Sequence, residues 1–205
     1  MPTPLQKRRR EASKEQLVQI AAELFAERGV EATSLADIAE AAGMTTPALY
    51  HYFRNRRELV AEAMQFATWA TVDNVRQATM VDGGAADRFR TFLHEHAEFL
   101  EQSGAGTVRF VYWAVLDTAS DPELSHSIDP GAGATTEFLR SLIDDAKVAG
   151  TLPADTDTDV AAELLEACIT GIDYRYATGR SQVPPAQACA GLLDAVARRF
   201  SPSPT

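Results

Sequence analysis

The 205 residues include only two cysteines, Cys168 and Cys189, with no CxxC spacing. A disulfide framework and a thiolate zinc site are therefore not expected, and a reducing, cytoplasmic setting is. No signal-like segment opens the chain, and charges break every apolar stretch before the ~18 residues that a membrane span needs, so no membrane partner is expected. Strand-like alternation is also missing. Helical periodicity runs nearly throughout, which predicts an all-α fold. No phosphate-cradling glycine loop, nucleophile–base pair or converging metal-ligand set occurs, so neither an enzyme nor a cofactor or metal is expected.

Positive charge is scarce over most of the chain. Residues 1–60 carry nine Lys and Arg against eight Asp and Glu, residues 61–205 carry ten against twenty-one, and the net charge is −10. A polyanion can be met only by the N-terminal end. The run Lys7, Arg8, Arg9, Arg10 reads either as a solvated arm or as a phosphate-binding one.

Within that end, Ser13-Lys14-Glu15-Gln16 reads as a capping box ahead of Leu17, Ile20, Ala21, Leu24 and Phe25, and Gly29 as the stop. Ser34 with Asp37 opens a second helix that buries Leu35, Ile38 and Ala42 and ends at Gly43. Thr45 or Thr46 caps a third, with Pro47 in its first turn. Leu49, Tyr52 and Phe53 share its inward face, and Pro47, Tyr50 and His51 point outward. Two short helices around a glycine turn, with small Ala39 at the crossing, are a helix-turn-helix.

The remainder reads as helices over residues 57–80, 89–100, 108–118, 135–148, 157–178 and 185–200. The segment 121–133, broken by Pro122, Pro130, Gly131 and Gly133, reads as a loop. Asp155, Asp157, Asp159 and Glu166 have calcium-loop spacing, but Val160 stands where that loop requires glycine; acidic residues at a helix start are the better reading. His94 and His96 lie too far apart around their helix to share a metal.

The stretch TSLADIAEAAGMTTPALYHYFRNRRELV, residues 33–60, preceded by AAELFAERGV, closely resembles the TetR (tetracycline-repressor-like) family of bacterial transcriptional regulators. The likeness is specific over residues 13–60 and looser over GTLPADTDTDVAAELLEACITG, residues 150–171, which is similar to the start of the dimer-forming helices in many members. The resemblance implies a three-helix DNA-binding domain over 13–60 after a basic arm (1–12), a helical effector-binding and dimerisation domain over 61–200, and a short tail (201–205). It places Thr45, Thr46, Pro47, Ala48, Tyr50 and His51 at groove-facing positions and Thr33 and Arg56 at phosphate contacts. Thr hydroxyls and imidazole suit base edges, Pro and Ala a thymine methyl, and Tyr50 a phosphate. The competing readings are a Tyr50 packed on a neighbouring helix and a surface His51.

The resemblance also implies a small-molecule pocket, here expected among Phe66, Trp69, Phe92, His96, Phe99, Phe110, Trp113 and Phe138, with Arg109 and Asp117 as further polar groups and 121–133 as an entrance. The last two helices carry apolar stripes that predict a homodimer through Leu164, Leu165, Cys168, Ile172, Leu192, Leu193 and Val196, with Phe200 ending the second stripe. The expected function is repression of an operator on double-stranded DNA, released by a small, largely apolar effector. The alternative is a helical module whose helix-turn-helix contacts protein.

Overall fold

The computed structural model describes the backbone of residues 4–118 and 122–199, and side chains within these ranges except at 4–12, 70–72, 74, 117–132 and 197–199. The described residues form eight helices and no strand: α1 (Pro4–Arg28), α2 (Leu35–Ala41), α3 (Thr46–Leu49), α4 (Arg56–Thr79), α5 (Ala85–Thr118), α6 (Pro122–Val148), α7 (Thr158–Ala177) and α8 (Pro185–Arg199). They divide into two compact units, one of Met1–Thr68 with Arg109–Ile128, the other of Trp69–Val108 with Asp129–Thr205.

In the first unit Leu17, Ala21, Phe25, Ile38, Leu49, Phe53, Leu59 and Met64 are buried together, joined by Phe110 and Ala114 of α5. Buried positions recur every three or four residues in α1 (Leu17, Ala21, Phe25) and in α4 (Val60, Ala63, Ala67), so each helix has one apolar face to bury. Lys14 of α1 pairs with Glu62 of α4 and lies over the Phe53 ring.

In the second unit Val75, Phe89, Phe92, Leu93, Phe138, Leu139, Leu142, Ile169 and Cys189 form the core. Phe92 meets Phe138 at a ring separation of 5.2 Å and stacks on His96 at 5.8 Å. His96 is buried, and its Nε2 lies 2.7 Å from Oδ1 of buried Asp173, so one hydrogen bond ties α5 to α7 inside the core. The Nδ1 of His96 has no hydrogen-bond partner among the described residues. The Asp157 side chain caps α7 by accepting from the Val160 amide at 3.1 Å, and Asp159 accepts from Arg140 Nε at 2.8 Å. The acidic cluster thus starts a helix, and no group of three or more metal-ligating side chains occurs among the described residues.

Three boundaries differ from the sequence reading. Helix α1 is already formed at Pro4 and passes through Ser13, so the expected capping box lies inside it; Leu, Lys, Arg, Glu and Ala sustain a helix there without a cap. The side chains of Lys7 to Arg10 lie outside the described residues. The two helices expected at 89–100 and 108–118 are one element bent at Gly104, whose φ of 75° and ψ of 162° only glycine adopts readily. The expected loop over 121–133 is helical from Pro122, which stands at the first helical position where a missing amide hydrogen costs nothing. Helical context here outweighs the low propensity of the glycines and Pro130. Asp121, Phe200 and the tail 201–205 lie outside the described residues.

Replacing Asp173 by Ala leaves both nitrogens of a buried imidazole without partners and is expected to lower unfolding free energy by about 3 kcal/mol in urea titrations at neutral pH. Asp173→Asn, which keeps an acceptor oxygen, should recover much of that loss.

Candidate nucleic-acid interface

Helix α2 is fixed at both ends. Ser34 accepts from the Asp37 amide, and the Asp37 carboxylate accepts in return from the Ser34 amide at 2.7 Å, the reciprocal box read from the sequence. These bonds, the Ser34 hydroxyl first, hold the Asp37 carboxyl below the usual carboxylate range. The cap is therefore intact above that range and is lost as pH falls through the depressed pKa. At the other end Gly43 has φ 66°, and the Met44 and Gly43 amides donate to the carbonyls of Ala39 (2.9 Å) and Glu40 (3.0 Å). This closure needs a left-handed residue and turns the chain straight into α3.

Thr45 caps α3 by accepting from the Ala48 amide at 3.4 Å, and Pro47 sits in the first turn. The α-helical part is a single turn; the His51 and Tyr52 amides continue it with bonds to the carbonyls three residues back. What fixes the segment is burial: Leu49 and Phe53 are in the core, and Tyr52 packs against it. The opposite side presents Thr45, Pro47, Tyr50 (53% exposed) and His51 to solvent, with Thr46 and Ala48 half-buried beside them. Six of the eight positions expected to face DNA therefore lie on one short segment, four of them exposed.

The other two are placed differently. Thr33 is 1% exposed, and its hydroxyl donates to the Gly29 carbonyl at 2.8 Å, with the Leu24 carbonyl at 3.4 Å. The side chain closes the end of α1 and does not reach the surface, which corrects its reading as a phosphate contact. Arg56, half-buried, directs Nη2 to the carbonyls of Val30 and Thr33, the latter at 3.2 Å. Its guanidinium binds the α1–α2 turn to the first residue of α4, a positioning role that the sequence reading did not assign. An exposed cation that follows the presented segment is Arg54, whose side chain is 89% exposed and meets Glu58 Oε2 at 3.4 Å. The sequence reading missed it; the signal was a third arginine in FRNRR, immediately after the aromatic cluster.

The expected pocket aromatics do not line one cavity. Phe66 and Trp69 (64% exposed) are on the surface, and Phe92, His96 and Phe138 are solid core. Phe99 is half-buried, and Phe110 and Trp113 stack on each other in the first unit at 6.4 Å. Arg109 is exposed, and the Asp117 side chain lies outside the described residues. The second unit instead contains an apolar cavity of about 330 Å³, described further below. Of the expected dimer residues, Leu165, Ile172, Leu192, Leu193 and Val196 pack against their own core, whereas Leu164 (63% exposed) and Cys168 face outward. A heptad-like stripe on a terminal helix cannot by itself say which neighbour it meets. Burial pushes the Cys189 thiol up to about 11, helped by the nearby Asp173 and Glu101 charges, so it stays a protonated, small core side chain at neutral pH.

Residues 17–63 match the family described as bacterial regulatory proteins, tetR family. The match is to the segment that holds the helix-turn-helix. It is 28% identical over 134 residues to the HTH-type transcriptional activator FasR of Mycolicibacterium smegmatis, covering 65% of this chain and 60% of FasR. It is 40% identical over 57 residues to the transcriptional repressor KstR2 of the same organism, covering 27% of this chain and 28% of KstR2. The chain thus spans under two thirds of either relative. Among solved structures, AibR in complex with isovaleryl coenzyme A and operator DNA superimposes with a TM-score of 0.71 at 19% identity, over 89% of this chain and 97% of AibR, a likeness of fold.

Arg56→Ala is expected to reduce unfolding free energy by about 1.5–3 kcal/mol, the range for hydrogen bonds to a charged group, with Arg56→Lys recovering only part because an ammonium lacks the planar fork. Thermal or urea denaturation reads both.

Proposed function

We propose that this chain is a dimeric transcriptional regulator that binds an operator on double-stranded DNA, acts as a repressor, and loses DNA affinity when a small, largely apolar effector binds its second unit. The observation that carries the reading is the face of Thr45, Pro47, Tyr50 and His51, held outward by Gly43 on one side and by the buried Leu49 and Phe53 on the other. A segment this short fits a major groove, where hydroxyls and an imidazole meet base edges and Pro47 a thymine methyl. Tyr50 and Arg54 flank it and suit phosphates. Because the body is acidic, affinity comes from these few contacts and is strongly salt-dependent.

Dimerisation is supported by the outward stripe of α7, where Val160, Leu164, Cys168 and Tyr174 are exposed at helical spacing. An apolar stripe left open on a folded domain is the usual mark of an interface, and a two-fold pairing would present two copies of α3 to an inverted repeat. Repression is the simplest action of a protein that occupies DNA, and KstR2 is a repressor, although FasR is an activator. The effector reading is supported by the apolar cavity and by the isovaleryl coenzyme A bound to AibR. A tenfold release requires that the effector favour the DNA-incompetent state by only about 1.4 kcal/mol, and DNA must weaken effector binding by the same factor.

Two outcomes test the reading. His51→Ala should change base preference at one operator position by about 1 kcal/mol or more, whereas Arg54→Ala should weaken all duplexes alike and lower the salt slope by about 1; equal affinity of the wild type for every duplex would remove the DNA assignment. Leu164→Glu should give a folded monomer by sedimentation, while Leu165→Glu, which buries a charge in its own core, should unfold the chain. A wild type that sediments as a monomer at micromolar concentration would exclude the dimer.

A further inference from the structure

The cavity of the second unit has a chemistry of its own. Its inner wall is Phe89 of α5, Leu142, Ile143 and Ala146 of α6, and Leu152 after α6, all buried. Its outer wall is Gly84, Ala86, Ala149 and Thr151, all exposed. The opening therefore lies between the turn before α5 and the turn after α6. Leu165, Leu193 and Val196 close the side.

We propose that this cavity binds a single-chain aliphatic compound, tail first, with its polar head left in solvent between Ala86 and Thr151. The inference rests on the effector reading above and names its site and ligand class. Three observations carry it. The space exists because glycine and alanine occupy five wall positions, Gly84, Ala85, Ala86, Ala146 and Ala149, where larger side chains would fill it. The only polar side chain among the described wall residues, Thr151, donates its hydroxyl to the Ala146 carbonyl at 3.0 Å and is turned to the protein. The only ring among the described wall residues is Phe89, so small and aliphatic side chains make up most of the described wall.

Walls with so little polar surface hold water poorly, so a hydrocarbon chain enters the inner end at little desolvation cost. A hydroxyl or amide carried to the inner end would lose its water partners and gain none. At about 330 Å³ the cavity stands at the lower end of small-molecule sites, too small for a bulky polycycle. Leu165 and Leu193 belong to α7 and α8, so occupancy acts first on the helices whose outward face forms the proposed dimer.

The test uses the full chain and decanoate, 10-hydroxydecanoate and cholate as probes in calorimetric titrations, followed by operator binding with and without decanoate. Decanoate should bind, 10-hydroxydecanoate at least tenfold more weakly, and cholate not at all. Ala146→Phe, which fills the inner end, and Ala86→Leu, which narrows the exposed mouth without touching the core, should each weaken decanoate at least tenfold while leaving operator affinity in its absence unchanged. Equal binding of decanoate and its hydroxylated analogue, or decanoate binding unaffected in both variants, overturns the proposal. Decanoate that binds as described yet leaves operator affinity unchanged supports the site and ligand class and refutes the effector reading instead.

Discussion

The guanidinium of Arg56 ties together three pieces of chain, the end of α1, the start of α2 and the start of α4, above the core that they share. Where α1 stops, its last carbonyls have no helical partners, and the turn to α2 exposes more. Arg56 takes the carbonyls of Val30 and Thr33, and the Thr33 hydroxyl takes those of Gly29 and Leu24. The position of α2 relative to α1 and to the start of α4 follows from these bonds and from the apolar faces beneath them. Because α3 follows α2 through the Gly43 closure, the presented face inherits its direction from the same small set of hydrogen bonds.

The two units rest on different kinds of constraint. In the first, short helices are specified by caps and turns, each worth about 1 kcal/mol and each residue-specific. In the second, long helices are specified by apolar packing, with His96 and Asp173 as a buried polar contact between α5 and α7. Surface pairs such as Arg140 with Asp159 add little to stability. Small residues near the ends of α5 and α6 then leave space that the rest of the core does not.

This difference explains what could be read from the sequence. Ser34, Asp37, Gly43, Thr45 and Pro47 are local signals whose chemistry admits few alternatives, and the structure has each in the position that the spacing implied. Thr33 and Arg56 were legible as polar residues at the right place, but whether a hydroxyl faces a phosphate or a carbonyl is decided by tertiary burial. The aromatics failed for the same reason: helical spacing identifies a face, and only the neighbouring helices decide whether Phe92 or Trp69 meets core, cavity or solvent. Pro122 starts a helix where a loop was expected and Gly104 bends one element where two were expected, because a helix-breaking residue is as compatible with a helix start or a bend as with a loop.

The shortness of α3 bears on how such a protein diversifies. Its fixed residues, Leu49 and Phe53, point inward, and the outward ones take no part in the core. Tyr50 and His51, exposed and outside the core, can therefore be exchanged at less cost to folding than Leu49 and Phe53, so the presented face can drift under selection while the scaffold remains the same. For an engineer, the same separation makes those two positions a compact library in which many members will fold.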